Sequence, residues 1–164
     1  MMGIPHVLAG AATACAVKRP ALAVPAALAS HLVLDYLPHL DTHGIYGQAS
    51  GGWTKAEFTM GLADAAIAAA LIIWLALRRS DWRLVILGAV CGVIIDLACN
   101  MPPCREWMQS MPATATFAAF HHNMQHNVPR EQWPLGFGTQ IAAIAAALIL
   151  LLRSQPEKEA SQCE

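Results

Sequence analysis

The segment GLADAAIAAALIIWLAL at residues 61–77 decides the fold, because it is a continuous apolar run that contains a single charged side chain. Two further runs of the same kind are residues 84–99 and 135–152. Each is close to the roughly 17–25 residues that a membrane-spanning helix needs. We therefore predict a transmembrane helix over each of the three segments.

The N-terminal part of the chain is also apolar, but Lys18, Arg19 and Pro20 divide it into residues 4–17 and 21–37. A cleaved signal peptide begins with positive charge, whereas residues 1–5 carry no basic side chain and the basic pair follows the apolar run. At about 1.5 Å per residue, residues 4–17 are too short to cross a membrane comfortably. We expect this segment to be tilted, re-entrant or joined to ordered N-terminal backbone.

The composition agrees with a membrane protein. Hydrophobic residues make up 56% of the 164 residues and charged residues 13%, against roughly 45–50% and about 25% in ordinary globular domains. The net charge of −1 disfavours nucleic acid as a partner, since such proteins carry excess positive charge. We predict an all-α integral membrane bundle of four to five transmembrane or re-entrant helices, forming one domain over residues 1–153 with a polar cytoplasmic tail at 154–164. The oligomeric state is not predicted.

The basic residues indicate an orientation. If five segments alternate across the membrane, seven basic residues fall on one side and three on the other. The positive-inside rule assigns the seven to the cytoplasm. The N-terminus is then outside, and the long connecting loops, roughly residues 38–59 and 100–133, face outward. The seven are Lys18, Arg19, Arg78, Arg79, Arg83, Arg153 and Lys158, and the three are Lys55, Arg105 and Arg130.

The ionisable groups of the apolar segments all fall at the outer level of this topology. Intramembrane carboxylates are costly unless they are paired or face a cavity, so three Asp residues on different helices require a partner. A shared divalent cation, or a pair of them, would supply one. The candidate ligands are His6, His31, Asp35, Asp64, Asp96, His122 and His126, and the candidate catalytic carboxylates are Asp35, Asp64 and Asp96.

Two of these pairs have a spacing that suits a metal. His31 and Asp35 are four residues apart, which places an imidazole and a carboxylate on one helix face. His122 and His126 repeat the spacing if residues 118–125 are helical, and His121 and His122 cannot both face the same site. Imidazole and carboxylate ligands suit Zn²⁺, and also Mn²⁺, Fe²⁺ or Ni²⁺. Zinc is our expected cofactor.

Structural roles remain open for several of the candidates. His6 is either a ligand or an interfacial, hydrogen-bonded side chain. Asp64 and Asp96 are either ligands or groups that cap a helix or pair with polar neighbours. The glycine-rich residues 44–52 read as a flexible loop, and we expect them to gate substrate entry if the site is catalytic.

Three sequence elements resemble small bacterial membrane proteins of the membrane-bound metal-dependent hydrolase family. They are PHVLAG at residues 5–10, SHLVLDYLPHLD at 30–41 and FHHNMQH at 120–126. The resemblance implies a multi-helix membrane protein with a His and Asp metal site and hydrolase activity. A more distant likeness is to the zinc-dependent phospholipase C and P1 nuclease group, in which His31 and Asp35 match a His-x-x-x-Asp pair and His6 an early His ligand.

Three functions are consistent with these features. The first is a metal-dependent hydrolase in the outer leaflet of the cytoplasmic membrane, acting on a phosphoester or a lipid-linked ester, with the lipid bilayer as its surroundings. The second is an ion- or metal-handling transport protein, although the inner halves of the predicted helices carry no ionisable residue. The third is a non-catalytic structural protein whose polar cluster holds helices together, with Gly88 and Gly92 as a close-contact face.

Overall fold

The computed structural model describes residues 1–42, 45 and 54–154. Seven α-helices lie wholly within these residues, and no strand is formed there. They are α1 (Gly3–Val17), α2 (Pro20–Tyr36), α3 (Lys55–Arg78), α4 (Trp82–Asn100), α5 (Pro102–Ser110), α6 (Pro112–Met124) and α7 (Trp133–Arg153), with a short 3₁₀ turn, Arg130–Gln132, before α7. The predicted all-α helix bundle is confirmed.

Three stretches are long and apolar enough to cross a membrane: Lys55–Arg78, Trp82–Asn100 and Arg130–Arg153. They contain the three segments predicted as transmembrane. Only 22%, 33% and 22% of their most apolar windows is buried within the protein, so most of their apolar surface is left for lipid. The chain therefore has the character of an integral membrane protein.

The short helix α1 is the centre of the bundle. Nine of its 15 residues are buried, and its side chains pack against α3, α4 and α7 in one apolar core. Its contact with α4 is made through glycine. A Cβ on Gly10 would lie 2.9 Å from the Cα of Gly92 and would also meet the carbonyl oxygen of Gly88. The two helix backbones can approach this closely only because glycine has no Cβ. The approach brings the start of α1 and the end of α4 together.

Helix α3 begins earlier than the predicted span, at Lys55. A capping box explains the difference, since the Thr54 N–H donates to the Glu57 carboxylate at 2.6 Å and the Glu57 N–H donates to the Thr54 hydroxyl at 3.2 Å. This arrangement satisfies N–H groups that a helix start otherwise leaves unpaired. The extension lengthens the helix beyond its apolar part.

The connection over residues 100–133 is more helical than a loop, since it contains α5 and α6, and the helix considered for residues 118–125 is part of α6, which ends at Met124. Both helices start at a proline, Pro102 and Pro112, whose fixed φ suits the first helical turn. The predicted gating loop at 44–52 and the tail from 155 onward lie outside the described residues, apart from Ile45 within the former.

Candidate metal centre

Four helices bring a cluster of His and Asp side chains to one end of the bundle. Its core consists of His31 and Asp35 from α2, Asp96 from α4 and His121 from α6, each offering one ligand atom within 4.8 Å of all the others. The His and Asp cluster predicted from the sequence is therefore present. His31, Asp35 and His121 are at most 2% exposed at their side chains, whereas Asp96 is 18% exposed.

Asp35 lies at the middle of this cluster and uses both carboxylate oxygens. Its Oδ2 lies 3.1 Å from Nε2 of His31 and 2.8 Å from Nε2 of His121. Its Oδ1 lies 3.1 Å from Nε2 of His6 and 3.3 Å from the backbone nitrogen of Met1. The side chain is fully buried, so no exposed surface is left on it to be solvated.

Asp96 faces the same three imidazoles from α4. Its Oδ1 lies 3.6 Å from Nε2 of His121 and 3.9 Å from Nε2 of His31, and its Oδ2 lies 3.7 Å from Nε2 of His6. These distances are too long for direct hydrogen bonds. They leave space for an ion between the carboxylate and the rings.

The hydrogen bond of His31 defines which of its nitrogens carries a proton. Its Nδ1 lies 2.8 Å from the carbonyl oxygen of Gly92, and a carbonyl can only accept, so Nδ1 is the donor. In the neutral imidazole Nε2 then carries a lone pair. That lone pair faces Asp35 Oδ2 and Nε2 of His121, which is 3.1 Å away. A proton on Nε2 of His121, or a metal cation between these atoms, would satisfy this lone pair.

His6 is fully buried and neither of its ring nitrogens has a hydrogen-bond partner among the described residues. Its ring lies 4.2 Å from the ring of His31, measured between centroids. The predicted candidate His6 therefore joins the cluster from α1. Its Nε2 approaches the carboxylate oxygens that His31 and His121 do not use.

Three other predicted ligands, Asp64, His122 and His126, are not part of the cluster. Asp64 accepts hydrogen bonds from the backbone N–H groups of Gly3 at 2.6 Å and Ile4 at 3.3 Å, and so caps the start of α1. His122 is exposed on the outer side of α6. His126 lies beyond Met124, where α6 ends, so the predicted four-residue spacing with His122 does not place both on one helix face.

His121 takes the place that the sequence analysis assigned to His122. The choice follows from how the end of α6 is held, since the backbone N–H of His126 donates to the carbonyl oxygen of Asp35 at 2.9 Å. The backbone of His39 pairs with the same segment, donating to His126 and accepting from Val128. The backbone of residues 126–128 is thereby fixed to the end of α2, and His121 is brought against Asp35.

Two supporting residues had no chemical signal in the sequence. Gly92 supplies the carbonyl that orients His31, and it lies close to α1 because it lacks a side chain. Gln140 on α7 is buried and joins two segments, donating to the carbonyl oxygen of Leu40 at 2.7 Å and accepting from the N–H of Met2 at 3.2 Å. Only the polarity of Gln140 within an apolar run hints at its role.

His39 is buried just outside the cluster, beyond the end of α2. Its Nδ1 donates to the carbonyl oxygen of Leu37 at 2.8 Å, and its Nε2 has no hydrogen-bond partner among the residues that the structure describes. Burial lowers the pKa of His39 to about 4. The ring is therefore neutral at physiological pH.

An apolar cavity of about 420 Å³ leads to the cluster between α1, α3 and α4. Its walls are mostly small apolar side chains, and Asp96 lines it together with Asp64 and Asp41. From Asp96 to Ala89, the wall residue farthest from it along α4, the cavity extends about 10 Å at 1.5 Å per residue. Asp96 therefore connects the buried cluster with a space between membrane-spanning helices.

Comparison with known proteins yields no relative. The chain matches no protein-family model, and neither a curated protein nor a solved structure is detectably similar to it.

Proposed function

We propose that the protein is a metal-dependent hydrolase of the bacterial cytoplasmic membrane, with a divalent cation held by His31, Asp35, Asp96 and His121. The observation that carries the proposal is the Nε2 lone pair of His31, which faces a carboxylate oxygen 3.1 Å away and a second imidazole nitrogen 3.1 Å away. The presumption of hydrolysis comes from the family resemblance of residues 5–10, 30–41 and 120–126.

The spacing of the four ligand atoms fits a cation of the size of zinc. Zinc binds imidazole nitrogen and carboxylate oxygen at about 2.0–2.2 Å, and tetrahedral geometry then puts neighbouring ligand atoms about 3.3 Å apart. The atoms here are separated by 2.8 to 3.9 Å in the measured pairs. A +2 charge also balances the two carboxylates. The same ligands suit manganese, iron or nickel, and zinc is our first choice.

The protein surrounds these ligands with groups that fix their orientation. The Gly92 carbonyl holds His31 by Nδ1, which leaves Nε2 for the metal, and such partners commonly change metal affinity by about 10–100-fold. When bound, a divalent cation lowers the pKa of a water molecule toward about 7 and polarises an ester oxygen. Burial of the cluster strengthens these electrostatic effects.

Asp96 is the ligand best placed to meet a substrate. It is the only member of the four-residue cluster with more than 2% of its side chain exposed, and it lines the cavity through which a substrate would reach the site. In hydrolysis the oxygen of water bonds to the ester phosphorus or carbonyl carbon, and the bond to the leaving oxygen breaks. The attacking water would pass its proton to the leaving oxygen, and Asp96 would orient this water by accepting a hydrogen bond from it.

The cavity supports a lipid-linked substrate. Its lining is apolar along α3 and α4, and both helices present apolar surface outside the bundle. An acyl chain from the surrounding bilayer would meet the same kind of environment in the cavity as in the membrane. The ester or phosphoester group would then lie near Asp96. With the basic residues assigned to the cytoplasm, the site belongs to the outer leaflet.

Elemental analysis of detergent-purified protein tests the proposal. We expect about one or more zinc, manganese, iron or nickel ions per chain in the parent, and a loss of nearly all bound metal in Asp35→Asn. The matched control is Asp81→Asn, a conservative change of an Asp at the opposite end of the bundle, which should keep its metal. Circular dichroism should show equal helix content in all three.

A metal-free parent that is folded would contradict the proposal and favour a structural role, in which Asp35 pairs with protonated imidazoles and holds the helices together. Full metal content in Asp35→Asn would also contradict it. If metal is bound, the release of headgroup or phosphate from lipid vesicles, followed by mass spectrometry, tests for hydrolysis.

A further inference from the structure

We infer that the cluster contains a second cation position, formed by His6 Nε2, Asp35 Oδ1 and Asp96 Oδ2, so that the site is a two-metal centre with both carboxylates as bridges. The inference rests on the proposed metal site and goes beyond it. It makes His6 a metal ligand in addition to His31, Asp35, Asp96 and His121. It also has each carboxylate bind one ion through each of its two oxygens.

The two oxygens of Asp35 have separate sets of neighbours. Oδ2 lies against Nε2 of His31 and of His121, at 3.1 and 2.8 Å. Oδ1 lies 3.1 Å from Nε2 of His6 and 3.3 Å from the backbone nitrogen of Met1. A carboxylate with imidazoles on both of its oxygens has the arrangement expected of a bridge between two ions.

The two oxygens of Asp96 on α4 also have different imidazole neighbours. Its Oδ1 lies 3.6 and 3.9 Å from Nε2 of His121 and of His31 and accepts from the side-chain amide of Asn100 at 3.5 Å, whereas its Oδ2 lies 3.7 Å from Nε2 of His6. Each carboxylate therefore directs one oxygen to the pair His31 and His121 and the other oxygen to His6. Two ions bridged in this way lie about 3.5–4 Å apart.

His6 supplies an independent observation. The side chain is fully buried, and neither ring nitrogen has a hydrogen-bond partner among the described residues, although Nε2 lies close to two carboxylate oxygens. A buried imidazole whose nitrogens lack well-aligned hydrogen bonds costs free energy. A cation bound to Nε2 would remove that cost on the side that faces the carboxylates.

The charge of a two-metal centre bears on the substrate class. Two divalent cations carry +4, and the two carboxylates reduce this to +2 with neutral imidazoles. Such a centre is best matched by an anionic group with oxygens for both metals, as in enzymes that hydrolyse phosphoesters with two metals. Of the two linkages in the proposed function, the phosphoester is therefore favoured over a neutral carboxylic ester.

Manganese loading of the purified full chain tests the second position. We expect about two Mn²⁺ ions per chain by elemental analysis, with an electron paramagnetic resonance spectrum that is broadened by exchange coupling between bridged ions. His6→Asn should bind about half as much manganese as the parent and give the resolved six-line spectrum of an isolated ion. His122→Asn, which changes an exposed histidine, is the matched control and should resemble the parent.

The outcomes separate this inference from the proposed function. One isolated Mn²⁺ ion in the parent overturns the second position and leaves the first intact, and this measurement requires no variant. No bound manganese, zinc, iron or nickel in the folded parent overturns both. Loss of both ions in a folded His6→Asn also overturns the second position, because His6 would then act on the first.

Discussion

The two ends of the helix bundle each bury charged groups, but they satisfy them differently. At the end opposite to the cluster, the guanidinium of Arg79 donates to both carboxylate oxygens of Asp81, at 2.7 and 2.8 Å. It also donates to the carbonyl oxygens of Leu151 and Ser154 at the end of α7. Burial raises the pKa of Asp81, but the hydrogen bonds and charge of Arg79 outweigh this effect, so the pKa lies below its ordinary value.

In the His and Asp cluster the polar groups satisfy one another only in part, although His121 and Asp35 form a hydrogen bond at 2.8 Å. His6 has no hydrogen-bond partner among the described residues, and the Nε2 atoms of His31 and His121 face each other at 3.1 Å. At the Arg79 end, the chain itself supplies the partners of the buried charged groups, as expected of an ion pair with a purely structural role. The proposed metal site accounts for this difference, because a bound cation would complete the contacts of the cluster.

The largest predicted effect is on the metal affinity of the cluster, and it distinguishes the adjacent histidines His121 and His122 of α6. His121→Ala should weaken the binding of zinc by at least about 100-fold, because the change removes a ligand rather than a supporting partner. His122→Ala should leave the affinity within about twofold, because the His122 side chain is exposed and surface changes are usually small. Competition with a chromophoric chelator measures both affinities.

The result has a direct bearing on the position of α6. Equal losses in the two variants would mean that the helix does not present His121 to Asp35, and the cluster described here would need a different fourth ligand. A loss in His122→Ala alone would restore the ligand that the sequence analysis favoured.

The membrane-spanning helices and the level of the cluster could be predicted from the sequence, for physical reasons. Apolar runs at 61–77, 84–99 and 135–152 have the length that a bilayer requires, and alternation then places Asp35 and Asp96 at one level. The spacing of His31 and Asp35 defines a helix face. These features depend on local sequence or on chain order alone.

The choice between His121 and His122 could not be predicted, because it depends on the rotation of α6. That rotation is determined by backbone hydrogen bonds from residues 126–128 to Asp35 and His39, which side-chain patterns do not encode. The capping role of Asp64 has a similar origin, since the partners are backbone N–H groups 60 residues away. The role of Gly92 depends on a helix contact that its sequence neighbours do not reveal.

A smaller effect, on stability alone, is expected at the opposite end. Arg79→Met keeps most of the apolar stem but removes the donors to Asp81, Leu151 and Ser154. Charged hydrogen bonds contribute about 1.5–3 kcal/mol each, and Asp81 is 20% exposed, so water replaces part of the loss. We expect the free energy of unfolding to fall by about 2–3 kcal/mol, measured by thermal unfolding in detergent.

The control for this variant is Arg83→Met, which changes an exposed arginine whose guanidinium lies 5.4 Å from the centroid of the Trp82 ring. Its effect should be within about 0.5 kcal/mol. Neither variant should change the metal content. A loss of metal in Arg79→Met would show that the two ends are coupled. It would weaken the contrast between the Arg79–Asp81 ion pair and the His and Asp cluster.

The smallest predicted effect is a pH dependence of stability. It arises from His39, which lies beside the cluster and is not one of the proposed metal ligands. Burial lowers the pKa of His39 to about 4, while an unfolded histidine titrates near about 6.5. Between these values the unfolded state binds more protons, so stability is fully present above the unfolded pKa and falls as the pH decreases through this window. From pH 7 to about 5.5 the contribution of His39 should fall by about 1 kcal/mol.

Thermal unfolding of the parent and of His39→Gln, each in the Asp35→Asn background to remove the metal, measures this contribution. The neutral amide cannot take up a proton, so the variant should lose less stability than its parent over the same pH range. Equal slopes would mean that His39 is solvated and titrates normally. Since the backbone of His39 holds residues 126 and 128 beside Asp35, a neutral, buried ring keeps this support intact at pH values where exposed imidazoles are protonated.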